Sequence, residues 1–376
     1  MKNDKIKIAV IFGGKSSEHE VSRWSAVSVI SNLDMNKYDV VMVGITKIGE
    51  WLIYNGAPNK ISDGSWETEA RAAIATQADK KEFSQIDSCG GITIQKLKNI
   101  GVSVMIPILH GCMGEDGTIQ GLFEIADIAY VGCGVFASSA CMDKTMTKSI
   151  VNGTGVMQAK YVLGYAHQIQ NQIDTLIDEI EREIGYYCFV KPSSSGSSVG
   201  VSKCKNRSEL KAALIEAVRY DRKILIEEYI KGREFECAIL GNDDPKASVV
   251  GEIIPGAEFY DYEAKYINDT SKTVIPANIP EETAEKIRMS ALAVYQALDC
   301  SGLARVDFFV RDETNEVIFN EINSMPGFTN ISMYPKMWEA TGIPYRELID
   351  RLIQLALARY QENAVYHEIG SGDANG

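Results

Sequence analysis

Apolar residues gather into short buried runs in the first part of the chain. The run Ile6 to Phe12 is almost wholly apolar and ends at a glycine pair, as in a buried parallel strand that turns into a helix, here residues 18–32. Tyr38 to Ile45 and Val104 to Leu109 repeat this strand pattern. The sequence therefore predicts a parallel α/β domain over residues 1–133, with functional loops at the carboxyl ends of its strands.

Two further units follow. Residues 134–223 alternate short strands with helices, which are predicted at Lys144 to Val151, Asn171 to Ile184 and Ser208 to Tyr220. Residues 224–361 are predicted to form an antiparallel sheet with a helix at Glu281 to Leu298. Its strand-like runs are 224–230, 234–241, 247–255, 303–310 and 316–322. The polar, glycine-rich segment 362–376 is predicted to be a mobile tail. The expected fold class is thus α/β followed by α+β.

Composition fits this division and limits the classes of function. A chain of 376 residues is longer than one ordinary hydrophobic core supports. Its net charge of −13 repels polyanions, so a nucleic-acid-coating role is disfavoured, although a few converging cations could still bind a small phosphorylated ligand. The eight cysteines are scattered without a C-x-x-C pair, and the N-terminus has no long apolar run. A cytoplasmic protein without a membrane segment is expected.

The segment KPSSSGSSVG, residues 191–200, follows the apolar run 187–190 and places small residues behind one lysine. Small side chains allow backbone N–H groups to approach a phosphate closely, and Lys191 adds positive charge. The segment matches neither the P-loop nor the dinucleotide-binding glycine pattern. A flexible Ser/Gly linker is the alternative, which the preceding strand-like run disfavours.

Two adjacent strand-like runs carry polar residues at a spacing of two. That spacing places Arg305 with Asp307 on one strand face, and Glu321 with Asn323 likewise. If the strands pair, one face presents two carboxylates and an amide oxygen, which are ligands that Mg²⁺ prefers. A solvated strand face is the alternative. The apolar surroundings disfavour it, because buried carboxylates need a counter-ion.

Two loops of the first domain begin where predicted strands end. Glu18 follows the first strand, where it could hold a substrate ammonium or simply favour a helix N-terminus. His110 follows the run 104–109, at the edge where open α/β sheets bind ligands, although a core or capping histidine is equally consistent.

Eight ordered motifs cover nearly the whole chain. Together they resemble the D-alanine:D-alanine ligases of the ATP-grasp superfamily. The motifs are GGKSSEHEVS, LHGCMGEDGTIQG, MDK at 142–144, KPSSSGSSVG, EEYIKGREFE, FYDYEAKY, ARVDFF and FNEINSMPGFTNISMYP. The resemblance implies an N-terminal parallel α/β domain followed by a two-domain ATP-grasp fold that clamps ATP.

The resemblance also implies roles for individual residues. Lys144, Lys191 and a flap that includes Ser198 are implied to contact the phosphates. The adenine and ribose contacts are implied to be Glu227, Ile230 and Glu234. Two Mg²⁺ ions, with Mn²⁺ as an alternative, are implied to bind Asp307, Glu321 and Asn323. Glu18 is implied to hold the first substrate's ammonium, linked to the flap through Ser197 and Tyr266, while Arg305 and the N–H of Gly327 form an oxyanion site. Lys265, grouped with the nucleotide contacts, is also implied to lie with Ser332 near the second substrate's carboxylate, and His110 supports the pocket.

The implied reaction joins two D-alanines through an acyl phosphate, for peptidoglycan precursors, in a homodimeric enzyme. Segment 260–266 disfavours D-lactate as second substrate, and Met333 favours D-alanine over D-serine, which stays open. Another ATP-grasp carboxylate–amine ligase is the nearest rival. An inactive ATP-binding protein is disfavoured because no expected metal ligand is lost, and an NAD-dependent dehydrogenase because the third glycine of its motif is missing.

Overall fold

A computed structural model describes residues 5–76, 90–196, 199–254 and 272–372 of the chain. Its first sheet has the strand order β3-β2-β1-β4-β5, in which β1 is parallel to β2 and β4. The strands are β1 (Ile6–Gly13), β2 (Tyr38–Ile45), β3 (Trp51–Tyr54), β4 (Val102–Ile108) and β5 (Ala129–Tyr130). The order reverses between β1 and β4, so the loops after these two strands meet at the point where open α/β sheets bind ligands. The predicted parallel α/β domain is confirmed.

Helices cover this sheet, and two of them follow the loops after β1 and β4. They are α1 (His19–Asn32), α2 (Asn59–Asp63), α3 (Trp66–Thr76), α4 (Gly91–Asn99) and α5 (Thr118–Ile125). The loop from β1 to α1 carries Glu18, and the loop from β4 to α5 carries His110. Gly13 ends β1 with φ +93° and passes close to the carbonyl of Ile45, where a Cβ atom would lie only 2.1 Å from the oxygen. The glycine therefore permits the turn that brings Glu18 to the sheet edge.

The second sheet has the antiparallel order β6-β9-β7-β8. Its strands are β6 (Tyr161–Tyr165), β7 (Cys188–Pro192), β8 (Ser202–Cys204) and β9 (Lys223–Glu228). The helices of this region are α6 (Val135–Met142), α7 (Lys144–Val151), α8 (Ala166–Asn171), α9 (Ile173–Glu183) and α10 (Arg207–Ala217).

The domain boundary predicted between residues 223 and 224 is wrong. Strand β9 pairs with β6 and β7, so the second sheet ends at Glu228 rather than before Ile224. The start of the predicted central unit is displaced too, because Ala137 and Cys141 of α6 pack in one core with the third sheet. An apolar run identifies a strand, but its partners are distant in sequence, so the local pattern could not assign β9 to a sheet.

The third sheet is antiparallel, as predicted, with the order β12-β11-β10-β13-β14. Its strands are β10 (Gly232–Gly241), β11 (Lys246–Ile254), β12 (Lys272–Val274), β13 (Gly302–Arg311) and β14 (Val317–Asn323). Helices α11 (Glu281–Ala297), α12 (Met333–Thr341) and α13 (Tyr345–Gly372) complete the fold.

The last two helices join the first and third sheets. Tyr334 and Trp338 of α12 and Leu352 of α13 share one core with Ile8 and Phe12 of β1. Helix α13 continues past Glu362, where the sequence predicted a mobile tail, because Ala and Glu favour helix and no proline intervenes. Mobility of this end stays a prediction. Within the described ranges, every helix is too short or too polar to span a bilayer.

Candidate active site

A cleft of about 820 Å³ opens between the first, second and third sheets. Most of the residues predicted from the sequence line it. They are Glu18, His110, Lys144, Lys191, Glu227, Ile230, Glu234, Arg305, Glu321, Asn323, Gly327 and Ser332. Residues separated by up to about 300 positions thus meet in one cavity of the size that small-molecule ligands occupy.

One end of the cleft holds a buried carboxylate between two lysines. Glu227 of β9 places one oxygen 2.5 Å from Nζ of Lys148 and the other 2.7 Å from Nζ of Lys191. Burial opposes ionisation of Glu227, but the two ammonium groups outweigh it and lower its pKa to about 2. Burial likewise opposes the charge of Lys191, and Glu227 outweighs it and raises the pKa of that lysine. This end of the cleft is therefore a fixed, fully ionised cluster.

Helix α7 presents its first turn to the same end. Asp143 caps the helix by accepting from the N–H groups of Thr145 and Met146, and it also accepts a 2.5 Å hydrogen bond from Ser193 Oγ. Lys144 donates through Nζ to the carbonyl of Ser195 at 3.0 Å and lies 3.5 Å from Glu321. The cap thus fixes the start of the segment 191–200 beside Lys144, and backbone groups and lysine charge converge as a phosphate site requires.

Three carboxylates form a row across the face of the third sheet. Glu236 of β10 pairs in register with Asp307 of β13, and Asp307 pairs with Glu321 of β14. Directly opposite residues of antiparallel strands point to the same face. The predicted pairing of the Asp307 and Glu321 strands is confirmed.

Arg305 is held by two of these carboxylates. Its Nε and a terminal nitrogen donate to the two oxygens of Asp307, both at 2.8 Å, and Nε lies 3.1 Å from Glu236. Burial opposes its charge, but Asp307 and Glu236 outweigh burial and raise its pKa well above the ordinary value. The guanidinium is therefore always charged and fixed in direction, as an oxyanion site needs.

The donor set fits a hard divalent cation. Asp307, Glu321 and Asn323 contribute carboxylate and amide oxygens on one sheet face, the ligand type that Mg²⁺ takes. Asp307 lies beneath Arg305 rather than on the cleft wall. The side-chain amide of Asn323 donates a hydrogen bond to Asp307 at 3.1 Å. Among the described residues no group of three or more His, Cys, Asp and Glu side chains is arranged to hold a metal ion, and the predicted set includes the amide of Asn323.

Glu18 lies where the first sheet meets the cleft, at the N-terminus of α1. A Cβ atom at Gly111 would lie 2.7 Å from its Oε2, and one at Gly196 would lie 3.2 Å from the same oxygen. Both glycines therefore let backbone approach the carboxylate closely. The approach of Gly196 also brings the segment that starts at Lys191 to the first domain.

His110 forms a buried pair beside Glu18. Its Nδ1 lies 3.4 Å from Glu115, and its Nε2 lies 3.1 Å from Ser25 Oγ. Burial opposes protonation of the imidazole, but the bond to Glu115 and the charges of Glu115 and Glu18 outweigh it and raise the pKa of His110. The histidine is thus a buried, hydrogen-bonded part of the pocket wall, and its support of the substrate pocket stays a prediction.

The opposite wall follows strand β14. Ser332 Oγ accepts from the N–H of Thr329 at 3.0 Å, and a Cβ atom at Gly327 would lie 2.8 Å from this oxygen. Met333 begins α12 and packs over Gly251 of β11, where a Cβ atom would lie 2.4 Å from its Cε. Ser332 and Met333 both line the cleft from this wall, the first with a hydroxyl group and the second with an apolar side chain.

Comparison with known proteins agrees with this geometry. Family models described as "D-ala D-ala ligase N-terminus" and "D-ala D-ala ligase C-terminus" match residues 7–133 and 150–354. This chain belongs to the D-alanine–D-alanine ligase family.

This chain aligns with individual relatives over nearly the full length of both proteins. The D-alanine--D-alanine ligases of Acetivibrio thermocellus and Ruminiclostridium cellulolyticum are 56% and 54% identical, covering 96% and 95% of this chain and 98% and 97% of their own. Among solved structures, the VanG D-Ala:D-Ser ligase of Enterococcus faecalis aligns with a TM-score of 0.80 at 37% identity, over 94% of this chain and 100% of its own. The Coxiella burnetii D-alanine-D-alanine ligase aligns with a TM-score of 0.81 at 34% identity, over 99% and 100%. The expected family and the ATP-grasp fold class are confirmed.

Some predicted residues of the ligase lie outside the described residues. They are Ser197, Ser198, Lys265 and Tyr266. Their roles in the flap and at the second substrate's carboxylate stay predictions.

The sequence also left two residues of the ligase site unassigned. Lys148 follows Lys144 by four positions, so the same helix face carries both lysines, and this spacing could have identified it. Glu236 alternates with Glu234 along β10, but nothing in the sequence says that Arg305 is its partner.

The low pKa of Glu227 predicts how acid affects the ligase. Its pKa is about 2 in the folded protein and ordinarily 4.5, so the stability it contributes is complete above about pH 4.5 and is lost as pH falls toward 2. The difference in unfolding free energy between wild type and Glu227→Gln should be constant from pH 7 to 6 and about 2 kcal/mol smaller at pH 3. Urea unfolding measures it, with Glu285→Gln on α11 as the control for losing a carboxylate. A difference that stays constant down to pH 3 contradicts the ionised cluster.

Proposed function

We propose that this chain joins two D-alanine molecules into D-alanyl-D-alanine at the expense of ATP, for the synthesis of peptidoglycan precursors. The observation that carries the proposal is the convergence in one cleft of Glu18, the lysines of the phosphate end and the Arg305–carboxylate row. These groups match the ammonium, the phosphates and the reacting carboxyl group of the substrates. The names of the relatives at 56% and 54% identity support the same reaction.

The nucleotide is assigned to the side of the cleft formed by the second and third sheets. Lys144 and Lys191 would contact its phosphates, with Ser198 of the flap. Glu227, Ile230 and Glu234 follow one another along the connection from β9 to β10 and would contact adenine and ribose. ATP dependence is a property of the family, and these contacts are the proposal.

Two Mg²⁺ ions, with Mn²⁺ as an alternative, are assigned to Asp307, Glu321 and Asn323. The oxygen donors fit such ions, and when bound the ions would neutralise charge between the phosphates and an incoming carboxylate. Arg305 would lie beside these ions, held by Asp307 and by Glu236. The residues of this face therefore serve both the phosphate and the reacting carboxyl group.

The amino acids are assigned to the side of the cleft formed by the first sheet and the wall after β14. Glu18 would hold the ammonium of the first D-alanine, with Ser197 and Tyr266 linking it to the flap. Arg305 and the N–H of Gly327 would bind the oxyanion, and Ser332 with Lys265 the carboxylate of the second D-alanine. His110 supports the wall beside Glu18.

The reaction then proceeds in two displacements. A carboxylate oxygen of the first D-alanine attacks the γ-phosphorus, the bond to ADP breaks, and an acyl phosphate forms. The free amine of the second D-alanine attacks the acyl carbon, Arg305 stabilises the oxyanion, phosphate leaves, and the amine loses a proton. Exclusion of water protects the acyl phosphate from hydrolysis.

The finer properties of the protein are also proposals. The chain is proposed to be a cytoplasmic homodimer that acts on small molecules. Its net charge of −13 supports the expectation that neither nucleic acid nor an anionic membrane surface is a partner.

The second candidate is a D-alanine:D-serine ligase, because the VanG structure aligns over 94% of this chain. Met333 disfavours it, since a thioether offers no hydrogen-bond donor to reward the serine hydroxyl. Mass analysis of the products from D-alanine with equal D-serine or D-lactate decides between them. We expect D-alanyl-D-alanine to predominate from about pH 6 to 9. Predominant D-alanyl-D-serine at any pH, or predominant depsipeptide at pH 6, contradicts the proposed acceptor.

A further inference from the structure

Lys148 is a buried lysine with no role in the reaction described above. It lies on α7, four residues after Lys144, and its side chain is 2% exposed. Its Nζ lies 2.5 Å from Glu227 and near the rings of Tyr161 and Phe319, at 5.5 and 6.0 Å from their centroids. A buried ammonium in an apolar wall is costly unless it is paired, so its pairing with Glu227 has to be maintained in the folded protein.

Lys191 shares the same carboxylate but differs in access. It lines the cleft, its side chain is 18% exposed, and it contacts the other oxygen of Glu227 at 2.7 Å. The negative charges of Glu321 and Glu234 also act to raise the pKa of Lys191. One of the two lysines is therefore enclosed by protein, and the other faces the space where the nucleotide phosphates are proposed to bind.

We propose that Lys148 is a positioning residue, the permanent counter-ion of Glu227, which lets Lys191 exchange Glu227 for a phosphate of the bound nucleotide. The inference rests on the proposed assignment of the phosphates to Lys191. If Lys191 were the sole counter-ion, its departure would leave a buried carboxylate unpaired, and the phosphate would have to compete with that penalty. With Lys148 in place, Glu227 stays neutralised whichever partner Lys191 takes.

The helix gives this arrangement its rigidity. Asp143 caps α7 through two backbone N–H groups, and Thr147 Oγ1 donates to the carbonyl of Ala140 at 2.6 Å. Lys148 is thereby held while Lys144, on the turn before it, reaches the carbonyl of Ser195. The two lysines of one helix face thus have different tasks.

The prediction compares a ligand with phosphates to one without. Lys148→Met removes the fixed counter-ion, so Lys191 is retained by Glu227. Affinity for ADP should fall about tenfold or more, while affinity for adenosine changes less than about threefold. Glu227→Gln added to Lys148→Met removes the charge that retains Lys191, so the ratio of ADP to adenosine affinity should return to within about threefold of wild type. Isothermal titration calorimetry of the full chain without added metal measures both ligands.

The controls separate this role from a merely structural one. Lys148→Arg keeps the charge and should keep the affinity ratio, and Lys148→Gln, which retains a polar end, replaces the methionine variant if the latter does not fold. A lower melting temperature with an unchanged ADP-to-adenosine ratio overturns the inference, as does a double variant no better than Lys148→Met. If the wild-type protein binds adenosine and ADP equally well, the phosphate assignment is overturned, and the inference with it. If the predicted affinity ratios hold but no dipeptide forms, only the proposed acceptor chemistry is overturned.

Discussion

Replacing Glu321 with glutamine is expected to lower kcat by more than about a hundredfold while the protein remains folded. Glutamine keeps the size of the side chain but removes the charge that faces the proposed metal position, beside Asp307 and 3.5 Å from Lys144. The Mg²⁺ concentration needed for half-maximal rate should rise with the fall in kcat. Steady-state phosphate release at several Mg²⁺ concentrations measures both quantities.

Glu316→Gln is the matched control, because Glu316 lies just before the same strand and contacts Thr314 and Arg311 at its far end. Its kcat should stay within about twofold of wild type, because this partly exposed ion pair lies away from the proposed metal position. A Glu321→Gln enzyme whose kcat is within about tenfold of wild type, a barrier change near 1.4 kcal/mol, contradicts the assignment of Glu321 to the metal.

Replacing Arg305 with lysine is expected to lower kcat by about a hundredfold to a thousandfold and to leave the KM for ATP nearly unchanged. Lysine keeps the charge but lacks the planar pair of donors with which the guanidinium contacts both oxygens of Asp307 at 2.8 Å. The loss should therefore fall on the oxyanion of the second displacement. Steady-state kinetics with ATP and D-alanine varied separately tests this split.

Arg288→Lys on α11 is the control for the exchange itself, because Arg288 pairs with Glu285 away from the cleft. Its kinetics should match wild type. An Arg305→Lys enzyme that raises the KM for ATP while keeping kcat would place Arg305 with the nucleotide instead of the oxyanion.

The spacing of residues predicted correctly that Asp307 and Glu321 share a face of the third sheet. Residues two apart on a strand share a face, and the apolar neighbours of Asp307 and Glu321 marked both runs as buried strands. The sequence left the pairing of the two strands as a condition, and the structure shows that they pair. The structure adds that Asp307 lies beneath Arg305, which a face assignment alone does not contain.

Other features depended on contacts between distant residues. Lys148 is charged and near the start of a helix, a position that is usually solvated, and only the fold brings Glu227 to it from 79 positions away. The membership of β9 in the second sheet has the same cause, because its partners β6 and β7 precede it by many residues. Local sequence patterns identify strands and helices, whereas the pairing of similar strands depends on contacts between residues that are distant in sequence.

The proposed reaction activates the carboxylate of one D-alanine by phosphoryl transfer before the second amine attacks. D-Alanine labelled with ¹⁸O in its carboxylate tests it most directly, with the released inorganic phosphate analysed by mass. We expect one ¹⁸O atom in the phosphate for each dipeptide formed, because the oxygen that attacks the γ-phosphorus leaves with the phosphate. Dipeptide accompanied by unlabelled phosphate would contradict an acyl-phosphate intermediate.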